Sequence, residues 1–359
     1  MVTMVTLVTH WQDIPPAVLA VLRRGTVIPA HLLALDAGRR LDERRQRALT
    51  RYYIDAGAGG IAVGVHATQF AIRAAGLYEP VLKLAADTAR DWTARPLVLV
   101  AGLAGPTAQA LREAAIARGL GYHAGLLSLA SLRGADEDEL VAHCRAVAAV
   151  MPLVGFYLQP AVGGIDLGAA FWRRFAGIEN AIAIKVAPFD RYRTLDVVRG
   201  VVAAWAEDRI TLYTGNDDHI VGDLVTPFAV QRDGARVVVR IRGGLLGHWS
   251  VWTRSAVDLL ARLHAAVAAG ALPPELLALD AQVTDANGAF FDVANGFRGC
   301  IAGCHEVLRR QGLFAGTWCL DPDEGLSPGQ AEEIGRVLAE QPEFDDTPFV
   351  RANLERWLA

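Results

Sequence analysis

Short runs of Val, Ile, Leu and Ala recur along the chain, each too brief for a helix and each followed by a longer stretch with Leu, Ala and Val at helical spacing among Arg and Glu. The runs span 27–35, 60–65, 97–102, 122–127, 153–158, 181–187 and 210–214, with one more inside 235–246. Most are apolar throughout, the pattern of strands buried on both faces of a parallel sheet. Segments 43–56, 106–118 and 137–150 carry the amphipathic spacing of covering helices. Eight strand-helix units in succession predict an α/β chain closed into a (β/α)8 TIM barrel.

Beyond the last strand, 256–270, 299–312 and 327–339 read as further helices, the third opened by Ser327 as N-cap and Pro328 as first helical residue. Turns at Pro273-Pro274 and Asp321-Pro322-Asp323 separate them, and no long Gly/Ser linker marks a freely tethered unit. The expected organisation is an N-terminal segment 1–25, a barrel over 26–255 and a C-terminal helical extension over 256–359.

With 359 residues, 52% hydrophobic and 21% charged, the chain has ample apolar material for one large core. A formal charge of −4, with no Lys/Arg run interleaved with aromatics, argues against a nucleic-acid partner. Small-molecule chemistry is therefore expected. No stretch approaches the ~18 uninterrupted apolar residues that span a bilayer, and the first residues lack the basic start of a secretory signal. A cytoplasmic protein with no membrane partner is expected. Four cysteines do not make a disulfide framework, and the adjacent Cys304 and His305 point to different helix faces. Reduced core thiols and no metal site follow.

Lys185 ends the apolar run Ala181-Ile182-Ala183-Ile184-Lys185-Val186-Ala187. Desolvation there lowers the amine pKa and leaves a neutral nucleophile able to attack a carbonyl carbon, although a lysine at a strand end also reaches solvent through its long stem. Tyr157 closes the preceding run, 28 positions upstream. Right-handed crossovers set two such strand ends side by side, where a phenol could relay protons to a lysine-bound carbonyl. Packing is the plainer role for a strand tyrosine.

With these two residues placed, the chain resembles the dihydrodipicolinate synthase / N-acetylneuraminate lyase superfamily from about Val27 to about Leu338. Asp36-Ala37-Gly38, Gly59-Gly60-Ile61-Ala62-Val63-Gly64, Val100-Ala101-Gly102-Leu103, Tyr157 with Pro160, Ile184-Lys185-Val186 and Thr214-Gly215-Asn216-Asp217-Asp218 carry the likeness. The resemblance implies that Lys185 forms a Schiff base and Tyr157 relays protons. It also implies a 2-oxo acid substrate, no metal or organic cofactor, and a homo-oligomer, dimer or tetramer.

Several positions depart from the family pattern. The two hydroxyl residues that usually hold the keto acid's carboxylate are missing from Gly64-Val65-His66-Ala67-Thr68-Gln69, so binding there would rest on the backbone at Val65 and on His66 or Thr68. Val162 stands where the synthase branch has an arginine, which argues against dihydrodipicolinate synthesis. Leu126-Leu127-Ser128-Leu129 replaces the usual aromatic pair, and Arg73 is either a substitute cation or a solvated helix residue. Gly215, Asn216, Asp217, Asp218 and His219 can meet substrate or cap the next helix, and Gly244 lies in a glycine-rich turn where bare backbone could approach a ligand.

The expected function is a lysine-imine lyase, aldolase or hydro-lyase, acting on a 2-oxo acid. One alternative is a non-catalytic ligand-binding or regulatory barrel with a degenerate carboxylate loop. Another is a barrel enzyme with His66 as its base.

Overall fold

The computed structural model describes residues 7–359; the first six residues of the expected N-terminal segment lie outside it. Its elements run α1 (Pro16–Arg24), α2 (Glu43–Asp55), β1 (Gly60–Val63), α3 (Tyr78–Trp92), β2 (Val98–Leu103), α4 (Thr107–Gly119), β3 (Ala124–Leu127) and α5 (Glu137–Ala148). There follow β4 (Leu153–Leu158), α6 (Ala169–Ala176), β5 (Ala181–Ala187), α7 (Arg191–Ala203), β6 (Thr211–Thr214), α8 (Ile220–Val225), β7 (Phe228–Arg232), β8 (Ala235–Val239) and β9 (Ile241–Gly244). The chain ends in α9 (Thr253–Ala269), α10 (Glu275–Phe290), α11 (Cys300–Gln311), α12 (Gln330–Glu340) and α13 (Thr347–Leu358).

Seven strands pair in parallel in the order β1-β2-β3-β4-β5-β6-β9. The expected first strand, 27–35, is instead a short segment held by isolated parallel bridges from Val27 to Gly244 and from Ala30 to Ala62. Pro29 has no N–H to give to a ladder. The segment still closes the ring: Ile28 N–H donates to the Gly244 carbonyl at 3.0 Å, and His31 N–H to the Ala62 carbonyl at 2.8 Å. The run 235–246 divides into a strand of the antiparallel β7-β8 hairpin and the barrel strand β9.

Two cores result. Val98, Val100, Leu126, Val154, Phe156, Ile182 and Tyr213 fill the barrel interior together with Val8, Ile14, Val18 and Leu22, which come from α1 and the chain before it. The Tyr213 hydroxyl donates to the Leu22 carbonyl at 2.7 Å, so α1 plugs the end where the strands begin. The larger core lies between the sheet and the outer helices and extends under α9–α13. Asp346, before α13, accepts from the Tyr52 hydroxyl of α2 at 2.6 Å and from the Arg254 and Ser255 amides at the start of α9 at 2.6 and 3.0 Å. With one end plugged, a ligand site is left at the end where the strands finish. Among the described residues no helix is long and apolar enough to cross a membrane.

Candidate active site

A cleft of about 740 Å³, including its open mouth, lies at the finishing ends of the strands. Its lining includes Val65, His66, Phe156, Leu158, Lys185, Phe189, Gly215, Asp217 and Gly247 from the barrel, and Phe291, Phe297, Cys300, Ile301 and Cys304 from α11 and the segment before it.

Lys185 enters this cleft because β5 carries a bulge. Leu153 pairs with Ala181, an offset of 28, but Val154 pairs with Ala183, and the offset of 29 then persists along the strand. Ile182 and Ala183 both turn inward, and every later residue of β5 changes face. Lys185 therefore stands opposite Phe156 and Tyr213 in the barrel interior. Its Nζ lies 4.6 Å from the Phe156 ring centroid. The stem packs on Gly215, where an added Cβ would come within 2.5 Å of Lys185 Cε.

Tyr157 pairs with Val186 on the outer face. Its hydroxyl donates to Asp166 at 2.9 Å and accepts from the Leu167 amide at 3.1 Å, and its ring packs 5.4 Å from Trp172. The expectation that this phenol meets a carbonyl on Lys185 is corrected: the strands are adjacent, but the two side chains leave the sheet on opposite faces.

What shares the cleft with the lysine is Asp217, on the loop after β6. One of its carboxylate oxygens, Oδ1, is buried and has no hydrogen-bond partner among the described residues. The loop is held by its carbonyls, with Asn287 Nδ2 donating to Asp217 at 2.9 Å and Thr284 Oγ1 to Asp218 at 3.0 Å. Burial lowers the Lys185 pKa against the opposing pull of Asp217. Burial raises the Asp217 pKa while Lys185 opposes the rise. His66 is pushed down to about 4 by burial and by the charge of Lys185, so it is neutral at pH 7. Burial pushes the Cys300 thiol up to about 12 and raises Cys304 well above its ordinary value, which keeps both as thiols. No group of three or more His, Cys, Asp and Glu side chains suited to a metal occurs among the described residues.

Residues 23–226 match the model of the dihydrodipicolinate synthetase family, which is more than half of the chain. The chain belongs to that family. Solved structures that resemble this family member include YagE from E. coli, a prophage protein in complex with pyruvate, at 18% identity over 89% of this chain and 98% of that one, TM-score 0.72. Others are a dihydrodipicolinate synthase from Acinetobacter baumannii complexed with pyruvate (18%, 89% and 99%, TM-score 0.72) and the N-acetylneuraminate lyase of Fusobacterium nucleatum (16%, 90% and 99%, TM-score 0.69). At such identities the likeness carries the fold. No curated protein matches the sequence.

Of the remaining residues expected at the site of this family member, Val65, His66 and Gly215 line the cleft. Thr68, Asn216 and Gly244 do not, and each has a structural task. The Thr68 hydroxyl donates to the His31 carbonyl at 2.6 Å and accepts from the Gly64 amide at 3.0 Å, bracing the turn after β1. Asn216 accepts from the Phe189 amide at 3.0 Å and donates to the buried Asp223 at 2.9 Å. Gly244 leaves room for Trp249, whose ring an added Cβ would meet at 2.5 Å. Arg73 is neither solvated nor in the cleft; it forms a two-pronged pair with Glu113 at 2.9 Å and donates to the Gly64 and Gly102 carbonyls. Sequence reading missed Phe189, Phe291 and Phe297, whose positions depend on how the loop after β5 and the C-terminal helices fold back over the mouth.

Proposed function

We propose that this family member is a lysine-imine lyase of the aldolase type, acting on a 2-oxo acid. The carrying observation is the lysine itself: Lys185 projects into the cleft from a strand end, with no hydrogen-bond partner for its amine among the described residues and a pKa lowered by burial. The neutral amine attacks the ketone carbon, and loss of water from the carbinolamine leaves an imine. Protonation of that imine makes an electron sink. A base removes the proton from the hydroxyl of the bond to be cleaved, the carbon–carbon bond breaks, an aldehyde leaves, and its electron pair becomes an enamine on the lysine. Reprotonation at carbon and hydrolysis release the second product and the free amine. Asp217 is the group we assign to these proton transfers in place of Tyr157, because its unpaired carboxylate oxygen shares the cleft with the lysine.

One observation favours the second reading, a non-catalytic binding barrel. Among the cleft-lining residues Lys185 is the only lysine or arginine, so a bound carboxylate has no guanidinium to pair with. Borohydride reduction in the presence of pyruvate, followed by peptide mass spectrometry, separates the two. A reduced adduct on Lys185, absent in Lys185→Ala, supports the lyase; folded protein that forms no adduct with any 2-oxo acid supports the binding barrel.

A further inference from the structure

His66 and Asp217 share the cleft with Lys185, and the rest of its lining includes Leu158, Val162, Phe189, Phe291, Phe297 and Ile301, with the Gln159 amide as the further polar side chain. A polyhydroxylated tail would find the Gln159 amide there and otherwise lay its hydroxyls against phenyl and alkyl groups, and each hydroxyl left unpaired carries a desolvation penalty.

Two of these phenylalanines are held in a backbone conformation that bulky residues rarely adopt. Phe189 has φ 54° and Phe297 φ 67°. They belong to unrelated segments, the loop after β5 and the loop before α11, yet their rings meet at 6.0 Å with an interplanar angle of 65°. Each is separately locked. The Phe189 amide donates to Asn216 Oδ1 at 3.0 Å, and the Phe297 amide to the Asp292 carbonyl at 3.0 Å, within a turn where Asp292 and Gly296 are also left-handed. Strain of this kind persists where surrounding contacts over-determine it, and it clusters at ligand clamps. Both rings remain half-buried against the cleft, open to a third ring in the edge-to-face geometry that aromatic groups prefer.

We infer that the carbonyl compound taken by Lys185 carries an aromatic tail seated on Phe189 and Phe297 at the mouth of the cleft. The inference rests on the lyase reading of the same site. It is tested by borohydride trapping on Lys185 with three 2-oxo acids: pyruvate as reference, 4-phenyl-2-oxobutanoate with an aryl tail, and 2-keto-3-deoxygluconate with a polyol tail. The aryl acid is expected to half-saturate trapping at a concentration at least about ten-fold below the polyol acid, the scale set by burying a phenyl ring. Phe297→Asn, a residue that tolerates the left-handed backbone, is expected to cut that ratio to about three-fold or less. Equal or better trapping of the polyol acid, with the pyruvate adduct present, overturns the aromatic tail and leaves the lyase reading intact. Absence of every adduct overturns the lyase reading instead, and calorimetric titration of the same protein with the aryl and polyol acids then decides the tail preference directly.

Discussion

Lys185 faces Phe156 and not the neighbouring Tyr157: the parallel register pairs the first two, with Nζ 4.6 Å from the phenyl centroid, while Tyr157 pairs with Val186 on the outer face. A phenyl ring beside an amine supplies a low-dielectric wall and no proton. In the proposed lyase, proton transfer is therefore assigned to another group in the cleft.

Tyr157→Phe is expected to keep turnover within about three-fold, because the phenol lies outside the cleft, and to lower stability by about 1 kcal/mol through its lost bonds to Asp166 and the Leu167 amide. Asp217→Asn, in contrast, should reduce kcat by about 10²-fold or more, the scale of lost acid–base catalysis. Steady-state rates and urea melts of both variants check this. A hundred-fold loss in folded Tyr157→Phe would return the relay to the phenol.

The pH dependence of imine formation has a definite sign. Burial lowers the Lys185 pKa, so the reactive neutral amine accumulates at a pH below the ordinary lysine value of 10.5. Trapping rates at sub-saturating pyruvate should rise with pH and level off once that lowered pKa is passed. The negative charge of Asp217 raises the lysine pKa, so Asp217→Asn should move the midpoint to lower pH. A midpoint moving upward would contradict the assigned coupling.

Gly215→Ala is expected to abolish adduct formation at Lys185. An added Cβ would sit 2.5 Å from Lys185 Cε and 2.8 Å from Ala187 Cβ, so the lysine stem must leave its channel. Overpacking of this kind costs about 1–3 kcal/mol, read as an earlier urea midpoint. Trapping at the unaltered rate would show that the stem has another path.

The Arg73–Glu113 pair gives a prediction for stability alone. Both side chains are largely buried, and the guanidinium also ties the Gly64 and Gly102 carbonyls. Glu113→Ala leaves that charge unpaired and should cost about 3–5 kcal/mol in chemical denaturation. Adduct formation per folded molecule should be unchanged. A tenfold loss of trapping with stability intact would instead give Arg73 a role toward the ligand.

Much of this architecture was legible in the residues. Eight apolar runs at strand length, separated by amphipathic stretches, predicted the barrel, and seven of them contain the paired strands of the sheet. Pro29 explains why the remaining run contributes bridges instead of a ladder. At the site, the expected residues Lys185, Val65, His66 and Gly215 line the cleft, each lying near or just after the end of a strand. Thr68, Asn216 and Gly244 were not separable from them, since a short polar or small residue in a loop serves a ligand or a turn with the same chemistry.

The sequence by itself determined the seven paired strands of the barrel, the order of the units and a lysine near the end of the fifth of those strands, since apolar periodicity and chain order survive any detail of packing. Only the tertiary structure decided which side chains meet. An interval of 28 makes Tyr157 and Lys185 neighbours, but the offset of 28 at Leu153 and Ala181 describes the outer face, and one extra residue in β5 turns the lysine inward without the tyrosine. Side chains alternate with a period of two, so a single inserted residue reverses the face of everything after it. The aromatic mouth was likewise decided by folding, since left-handed backbone at Phe189 and Phe297 is imposed by contacts from Asn216 and Asp292 and not by the phenylalanines themselves.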